Sequence, residues 1–147
     1  MLATQPNFSA IERFVSALRS LERHRDVEPL LRCFAPQVEL SRLGRQMERG
    51  IDGARHFWEE YREGFGQLES HFVRFNDGDP VKVLEWRVEG TLPSGAPVYC
   101  AGISLLEVDG DQIIRFRTYF DSSAIVRSAA ADAIPPAAGP TAYSKAV

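Results

Sequence analysis

The chain has 147 residues, 44% of them apolar and 25% charged. This is ordinary globular composition in a length suited to one domain that needs no disulfide or metal staple, and it excludes collagenous and intrinsically disordered chains. Seventeen Lys and Arg against 20 Asp and Glu leave a net charge of -3, with the basic residues spread along the chain, which argues against a dedicated nucleic-acid binder.

Ser9 followed by Glu12 fits a capping box, and Ile11, Phe14, Val15, Leu18 and Leu21 then recur at helical spacing, predicting an amphipathic helix over residues 10–23. Glu12, Arg13, Arg19, Glu22 and Arg23 are assigned to its polar side. Asp26 is placed to cap a second, shorter helix. Pro29 is tolerated there because first-turn N–H groups have no intrahelical acceptor. Leu30, Leu31 and Phe34 supply its buried side, and Pro36 ends it. Alternation over residues 37–43 predicts a short strand with Val38 and Leu40 inward. Asp52 opens a third helix with the stripe Ala54, Phe57, Trp58, Tyr61 and Phe65, closed by Gly64 and Gly66.

From there the period changes to 2. Runs at about 68–75, 81–92, 98–108 and 112–120 read as strands, separated by Asn76-Asp77-Gly78-Asp79-Pro80, Pro93-Ser94-Gly95 and Asp109-Gly110-Asp111. Short breaks rich in Gly, Pro, Asn and Asp imply hairpins and an antiparallel meander. After Arg127 the composition turns to Ala, Pro and small polar residues, so residues 1–127 are taken as one domain and 128–147 as a flexible tail. No apolar run suits a signal peptide or a membrane span, and Cys33 and Cys100 lack metal-ligand spacing. A cytoplasmic protein with reduced thiols is expected. The architecture is α+β, three helices on one face of a curved antiparallel sheet, and it implies a conical cavity.

Three segments carry a family resemblance: Leu31-Arg32-Cys33-Phe34-Ala35-Pro36-Gln37-Val38-Glu39-Leu40, Gly50-Ile51-Asp52-Gly53-Ala54, and the stretch from Leu92-Pro93-Ser94-Gly95 through Asp109-Gly110-Asp111-Gln112-Ile113 to Arg117-Thr118-Tyr119-Phe120-Asp121. Together the sequence resembles the SnoaL-like branch of the nuclear transport factor two superfamily. That group includes ketosteroid isomerases, limonene epoxide hydrolase and scytalone dehydratase. The resemblance implies the cone fold and a homodimer formed through the sheet, but not the relatives' chemistry. Thr118 stands where limonene epoxide hydrolases have a catalytic Asp. Leu40, Phe14 and Ser104 stand where ketosteroid isomerases have their base, their Tyr and their protonated Asp.

Counting back from the Leu92-Pro93 turn, Glu85 and Arg87 fall where the epoxide hydrolases carry an Arg-x-Asp pair, in swapped order. The resemblance implies that both point into the cone, where such a pair can serve acid–base chemistry. Alternation alone gives the opposite parity, with Leu84, Trp86 and Val88 in the core and Glu85, Arg87 and Glu89 outside. Thr118 faces inward on both readings. Parity and resemblance together give a lining of Phe14, Leu40, Arg42, Trp58, Tyr61, Cys100, Ser104, Phe116 and Phe120. His71 shares a face with Val73 and Phe75 and is the histidine expected nearest the cavity. The three histidines do not cluster, so no metal and no cofactor is expected.

The function these features imply is binding of a small, mostly apolar organic molecule in the pocket, with no nucleic acid or membrane as partner. If the protein is an enzyme, the reaction is cofactor-free proton transfer: isomerisation, cyclisation, dehydration or hydration. Glu85 would move the proton, Arg87 would set its pKa, and Thr118 or Tyr61 would donate a hydrogen bond. The alternative is a non-catalytic dimeric module for ligand binding or assembly.

Overall fold

Ser9 starts the first helix as the sequence predicts. Its Oγ accepts from the Glu12 N–H at 3.2 Å, and its own N–H donates to Glu12 Oε1 at 3.0 Å, closing the capping box of α1 (Ala10–His24). The computed structural model describes residues 9–76, 78 and 80–120. The tail expected over 128–147, and Asp121 at the end of the last motif, lie outside the described residues.

A single turn, α2 (Glu28–Leu31), follows, with Pro29 in its first turn. Asp26 Oδ1 accepts from the Glu28 N–H at 3.1 Å, although the cap position itself is Val27. The first strand, β1 (Phe34–Arg42), begins earlier than alternation suggests and carries Pro36 inside it. The ladder to its neighbour slips between Phe34 and Glu39. Pro36 has no N–H to give the ladder, and an irregular stretch is where a strand accommodates that.

A two-residue strand, β2 (Glu48–Arg49), has no counterpart in the sequence reading. It leads into α3 (Gly50–Glu63), which Gly64 terminates. The helix starts two residues before Asp52. The remaining strands are β3 (Leu68–Asn76), β4 (Val81–Thr91), β5 (Pro97–Asp109) and β6 (Gln112–Phe120), in the order and near the bounds that the period-2 runs predict.

The six strands form one sheet in the order β2-β1-β6-β5-β4-β3. The meander β3 to β6 is antiparallel, but β1 runs parallel to β6, with Leu40 opposite Phe116 and Arg42 opposite Thr118. The expected curved antiparallel sheet is present, and this parallel pairing is an addition to it. The helices cover one sheet face. Ile11, Phe14, Leu18 and Leu21 of α1, Leu30 and Leu31 of α2, and Ala54, Phe57 and Trp58 of α3 meet Val38, Leu40, Leu84, Leu106, Ile113 and Phe116 of the sheet in one buried cluster. A smaller cluster of Phe65, Leu68, Val88 and Val98 closes the end beyond Tyr61 and Trp86. No helix among the described residues is long and apolar enough to cross a membrane.

Candidate functional site

Between the helices and the inner sheet face lies a cavity of about 40 Å³. Phe14 and Leu18 come to it from α1, Phe57, Trp58 and Tyr61 from α3, and Ser70 and Phe72 from β3. The other strands bring Leu84, Trp86, Val88, Ser104, Phe116, Thr118 and Phe120. The volume holds one or two water-sized groups. A wider vestibule of about 300 Å³ adjoins it, sharing Tyr61, Trp86, Val88 and Phe120, and is rimmed by Arg42, Arg45, Glu60 and Cys100.

Aromatic packing sets the walls. Trp58 sits edge-on to Phe57, Tyr61 and Phe116, with ring centroids 5.0, 5.7 and 5.1 Å away, within the range of favourable edge-to-face contacts. Trp86 lies 5.9 Å from Phe120 over Gly102, with which both are paired across the sheet. A Cβ at Gly102 would stand 2.6 Å from the Trp86 ring and 2.4 Å from the Tyr119 carbonyl oxygen. The glycine is what lets the indole lie flat across the sheet.

The polar groups of the cavity form two chains. In the first, Trp86 Nε1–H donates to Ser104 Oγ and Ser104 Oγ–H donates to Thr118 Oγ1, each at 2.9 Å. In the second, Ser70 Oγ–H donates to Glu22 Oε2, the Ser70 N–H donates to Glu22 Oε1 at 3.3 Å, and the Tyr61 phenol lines the cavity with Ser70, which lowers its pKa. Glu22 is only 4% exposed, so its assignment to the solvated side of α1 is corrected. Burial pushes its carboxyl pKa up, against the lowering effect of Ser70 and Arg19. Burial likewise raises the Tyr61 phenol, reinforced by Glu22. Trp58 Nε1 is buried with no hydrogen-bond partner among the described residues.

At the mouth, Arg42 Nη2 donates to the Phe57 carbonyl at 3.1 Å and to Glu60 Oε1 at 3.2 Å, with its guanidinium 4.3 Å from the Phe57 ring centroid. Arg45 donates to the same Glu60 oxygen at 3.0 Å. One carboxylate is thus shared by two cations, and the rim keeps a positive excess. Burial lowers the Arg42 pKa, with Glu60 opposing.

Of the residues expected in the lining, Phe14, Trp58, Tyr61, Ser104, Phe116, Thr118 and Phe120 line the inner cavity, while Arg42 and Cys100 line the vestibule. Leu40 is fully buried in the core and lines neither space. Glu85 and Arg87 are not brought to the cavity. They pair with Ile103 and Ala101 across β4 and β5, while Leu84, Trp86 and Val88, of opposite parity, face inward. The inward orientation that the resemblance implied is corrected, and the parity of simple alternation holds. Among the described residues Glu85 forms a long ion pair with Arg74 Nε, at 3.9 Å. The acid–base pair proposed for the cone interior is therefore on the wrong side of the sheet to act there.

His71 also faces outward, opposite Arg87 and 3.3 Å from Glu89. A register shift between Phe72 and Arg74 changes the strand's parity, so the shared face expected for His71, Val73 and Phe75 does not exist. Among the described residues no three His, Cys, Asp or Glu side chains converge as a metal site would require.

The sequence reading missed Trp86, Ser70 and Glu22 as site residues. The signal for Trp86 was the apolar parity of β4. For Glu22 it was position, four residues after Leu18 and so on the buried stripe.

A family model described as a SnoaL-like domain matches residues 11–116. Solved structures with the same fold include a Rhodopseudomonas palustris protein provisionally assigned as an isomerase, 14% identical, with a TM-score of 0.76 over 84% of this chain and 98% of that one. A candidate SnoaL-like polyketide cyclase from Jannaschia sp. CCS1 is 21% identical, with a TM-score of 0.67 over 84% of this chain and 94% of that one. TerC, co-crystallised with polyporic acid, is 19% identical, with a TM-score of 0.71 over 83% and 96%. No curated protein matches the sequence.

Proposed function

The chain belongs to the SnoaL-like domain family, and from that premise we propose that it binds a small, flat, mostly apolar organic molecule bearing an oxygen at one edge. The observation that carries this reading is the pairing of the two spaces. A vestibule of about 300 Å³ is at the lower end of ligand-pocket sizes, and it shares Tyr61, Trp86, Val88 and Phe120 with an aromatic cavity of about 40 Å³ whose polar groups are Tyr61, Ser70, Ser104, Thr118 and Trp58 Nε1. The ring system lies in the vestibule against Tyr61, Trp86 and Phe120, and its oxygen enters the inner cavity. The positive rim of Arg42 and Arg45 favours an electron-rich or anionic outer edge. The binding of polyporic acid by TerC, a protein of the same fold, is consistent with a ligand of this class.

Chemistry in such a site would be cofactor-free proton transfer at the bound oxygen, without Glu85 or Arg87. We also propose a homodimer through the outer sheet face. Ile103 and Tyr119, paired there across β5 and β6, are about 40% exposed. Buried Arg87 Nε and Tyr99 Oη have no hydrogen-bond partner among the described residues.

Both tryptophans of the chain, Trp58 and Trp86, line the inner cavity, so their fluorescence reports on it. Titration with 2-acetylnaphthalene and a hydroxylated benzoquinone is expected to give saturable quenching with at least one of them. Quenching that stays linear in concentration for both compounds, the signature of random collision, would remove the binding site from the account.

A further inference from the structure

We propose that Glu22, Ser70 and Tyr61 form a proton relay joining an outer groove to the inner cavity, so that a ligand carbonyl or enol oxygen held at Tyr61 exchanges a proton with solvent. The relay rests on the reading of the cavity as a ligand site. Glu22 borders an outer groove of about 490 Å³ together with Arg62, Gln67 and Glu69, while Ser70 and Tyr61 line the cavity. The carboxyl therefore faces the groove and the phenol the cavity, with one buried serine between them: Ser70 is hydrogen-bonded to Glu22, and it lines the cavity with Tyr61, whose pKa it lowers.

The direction of the chain follows the charge of Glu22. When Glu22 is ionised, Ser70 Oγ–H donates to Oε2 and leaves its own lone pair for the Tyr61 hydroxyl. When Glu22 is protonated, its O–H donates to Ser70 Oγ, Ser70 donates to Tyr61 Oη, and the Tyr61 O–H is free to point into the cavity. Transfer to a ligand enolate then balances in three concerted steps. The Tyr61 O–H bond breaks as the ligand O–H bond forms. The Ser70 proton passes to Tyr61 Oη, and the Glu22 proton passes to Ser70 Oγ. Glu22 recovers a proton from water in the groove, and the reverse sequence deprotonates a ligand hydroxyl.

Several charges face this carboxyl. Arg19, on the same helix, stands 3.6 Å from Oε1 and donates to the Ser70 carbonyl at 2.7 Å. Arg62 reaches it electrostatically from α3, as does Glu69 from β3, and Arg23 and Glu89 line the same groove. Burial outweighs the nearby cations, and the carboxyl titrates above its ordinary range.

Infrared titration of the ligand-free protein tests the relay. Wild type is expected to show a protonated-carboxyl band persisting above the ordinary carboxylate range and absent from Glu22→Gln. Ser70→Ala, by removing the hydroxyl donor to the charged form and leaving the backbone one, should raise its midpoint by about one pH unit. The decisive variant is the conservative Tyr61→Phe, which lies on the far side of the serine. It is expected to move the Glu22 midpoint, and an unmoved midpoint would overturn the relay. A carboxyl that merely ties α1 to β3 would ignore the loss of that distant hydroxyl. Saturation with 2-acetylnaphthalene, which accepts but cannot titrate, should raise the midpoint in wild type and leave it unchanged in Tyr61→Phe. A ketone that binds without moving the midpoint overturns the relay and leaves the binding site standing. A ketone that does not bind removes the binding reading, while the ligand-free titration still decides the relay.

Discussion

A carboxyl held away from water titrates late, and at Glu22 this makes folding stability depend on pH. Below its ordinary pKa of 4.5 the group is neutral in both folded and unfolded chains, and the full contribution is present. Above that value the unfolded chain ionises first. Stability is then lost as pH rises through the raised pKa, with a limiting slope of about 1.4 kcal/mol per pH unit. The advantage of wild type over Glu22→Gln should therefore be largest below pH 4.5 and shrink to a plateau, as read by urea unfolding at a series of pH values. Thr118 invites a second substitution. Thr118→Val removes the acceptor of the buried Ser104 hydroxyl and should cost about 1–2 kcal/mol in the same assay. The inward parity of Thr118 was readable from its row of Ile114, Phe116 and Phe120. The burial of Glu22 was also written in the helix period, but a charged side chain one residue past Leu21 is assigned to solvent until its partner is known. Ser70, that partner, lies 48 positions further along the chain, beyond any local pattern.

At the level of elements, β4 decides the character of the site. Its alternation already placed Trp86 inside, because a strand with one apolar row buries that row. Ungapped matching to distant relatives overruled this and turned Glu85 and Arg87 inward. A one-residue offset in such matching moves every side chain to the other face, so alternation was the sounder guide. The parity change in β3 was not legible, since nothing in Phe72-Val73-Arg74 marks an extra residue. Nor was β2 visible, because two residues carry no period. Gly102 is the element-scale counterpart of Trp86. Gly102→Ala would force its Cβ against the Tyr119 carbonyl and the indole. The expected loss is about 1–3 kcal/mol, together with altered tryptophan emission as Trp86 leaves its seat. Unchanged stability and emission would mean that the indole does not depend on that glycine.

Across the whole molecule, the parallel pairing of β1 with β6 joins the first and last strands among the described residues and brings Arg42 beside Thr118. Local sequence fixes each strand and the hairpins between neighbours, but it says nothing about a partner more than 70 residues away, so this closure escaped the reading. The same assembly leaves the outer face carrying Ile103 and Tyr119 together with a buried Glu85. Sedimentation velocity should find a dimer that Ile103→Arg converts to monomer, and a monomeric wild type would remove the proposed interface. The cavity and its vestibule remain the centre of the account. The most direct test is a crystal structure of the protein soaked with 2-acetylnaphthalene. The naphthalene is expected against Tyr61, Trp86 and Phe120, with its carbonyl oxygen within hydrogen-bond distance of Tyr61 Oη. Ordered ketone only on the outer sheet face, with the vestibule holding nothing but water, would contradict it.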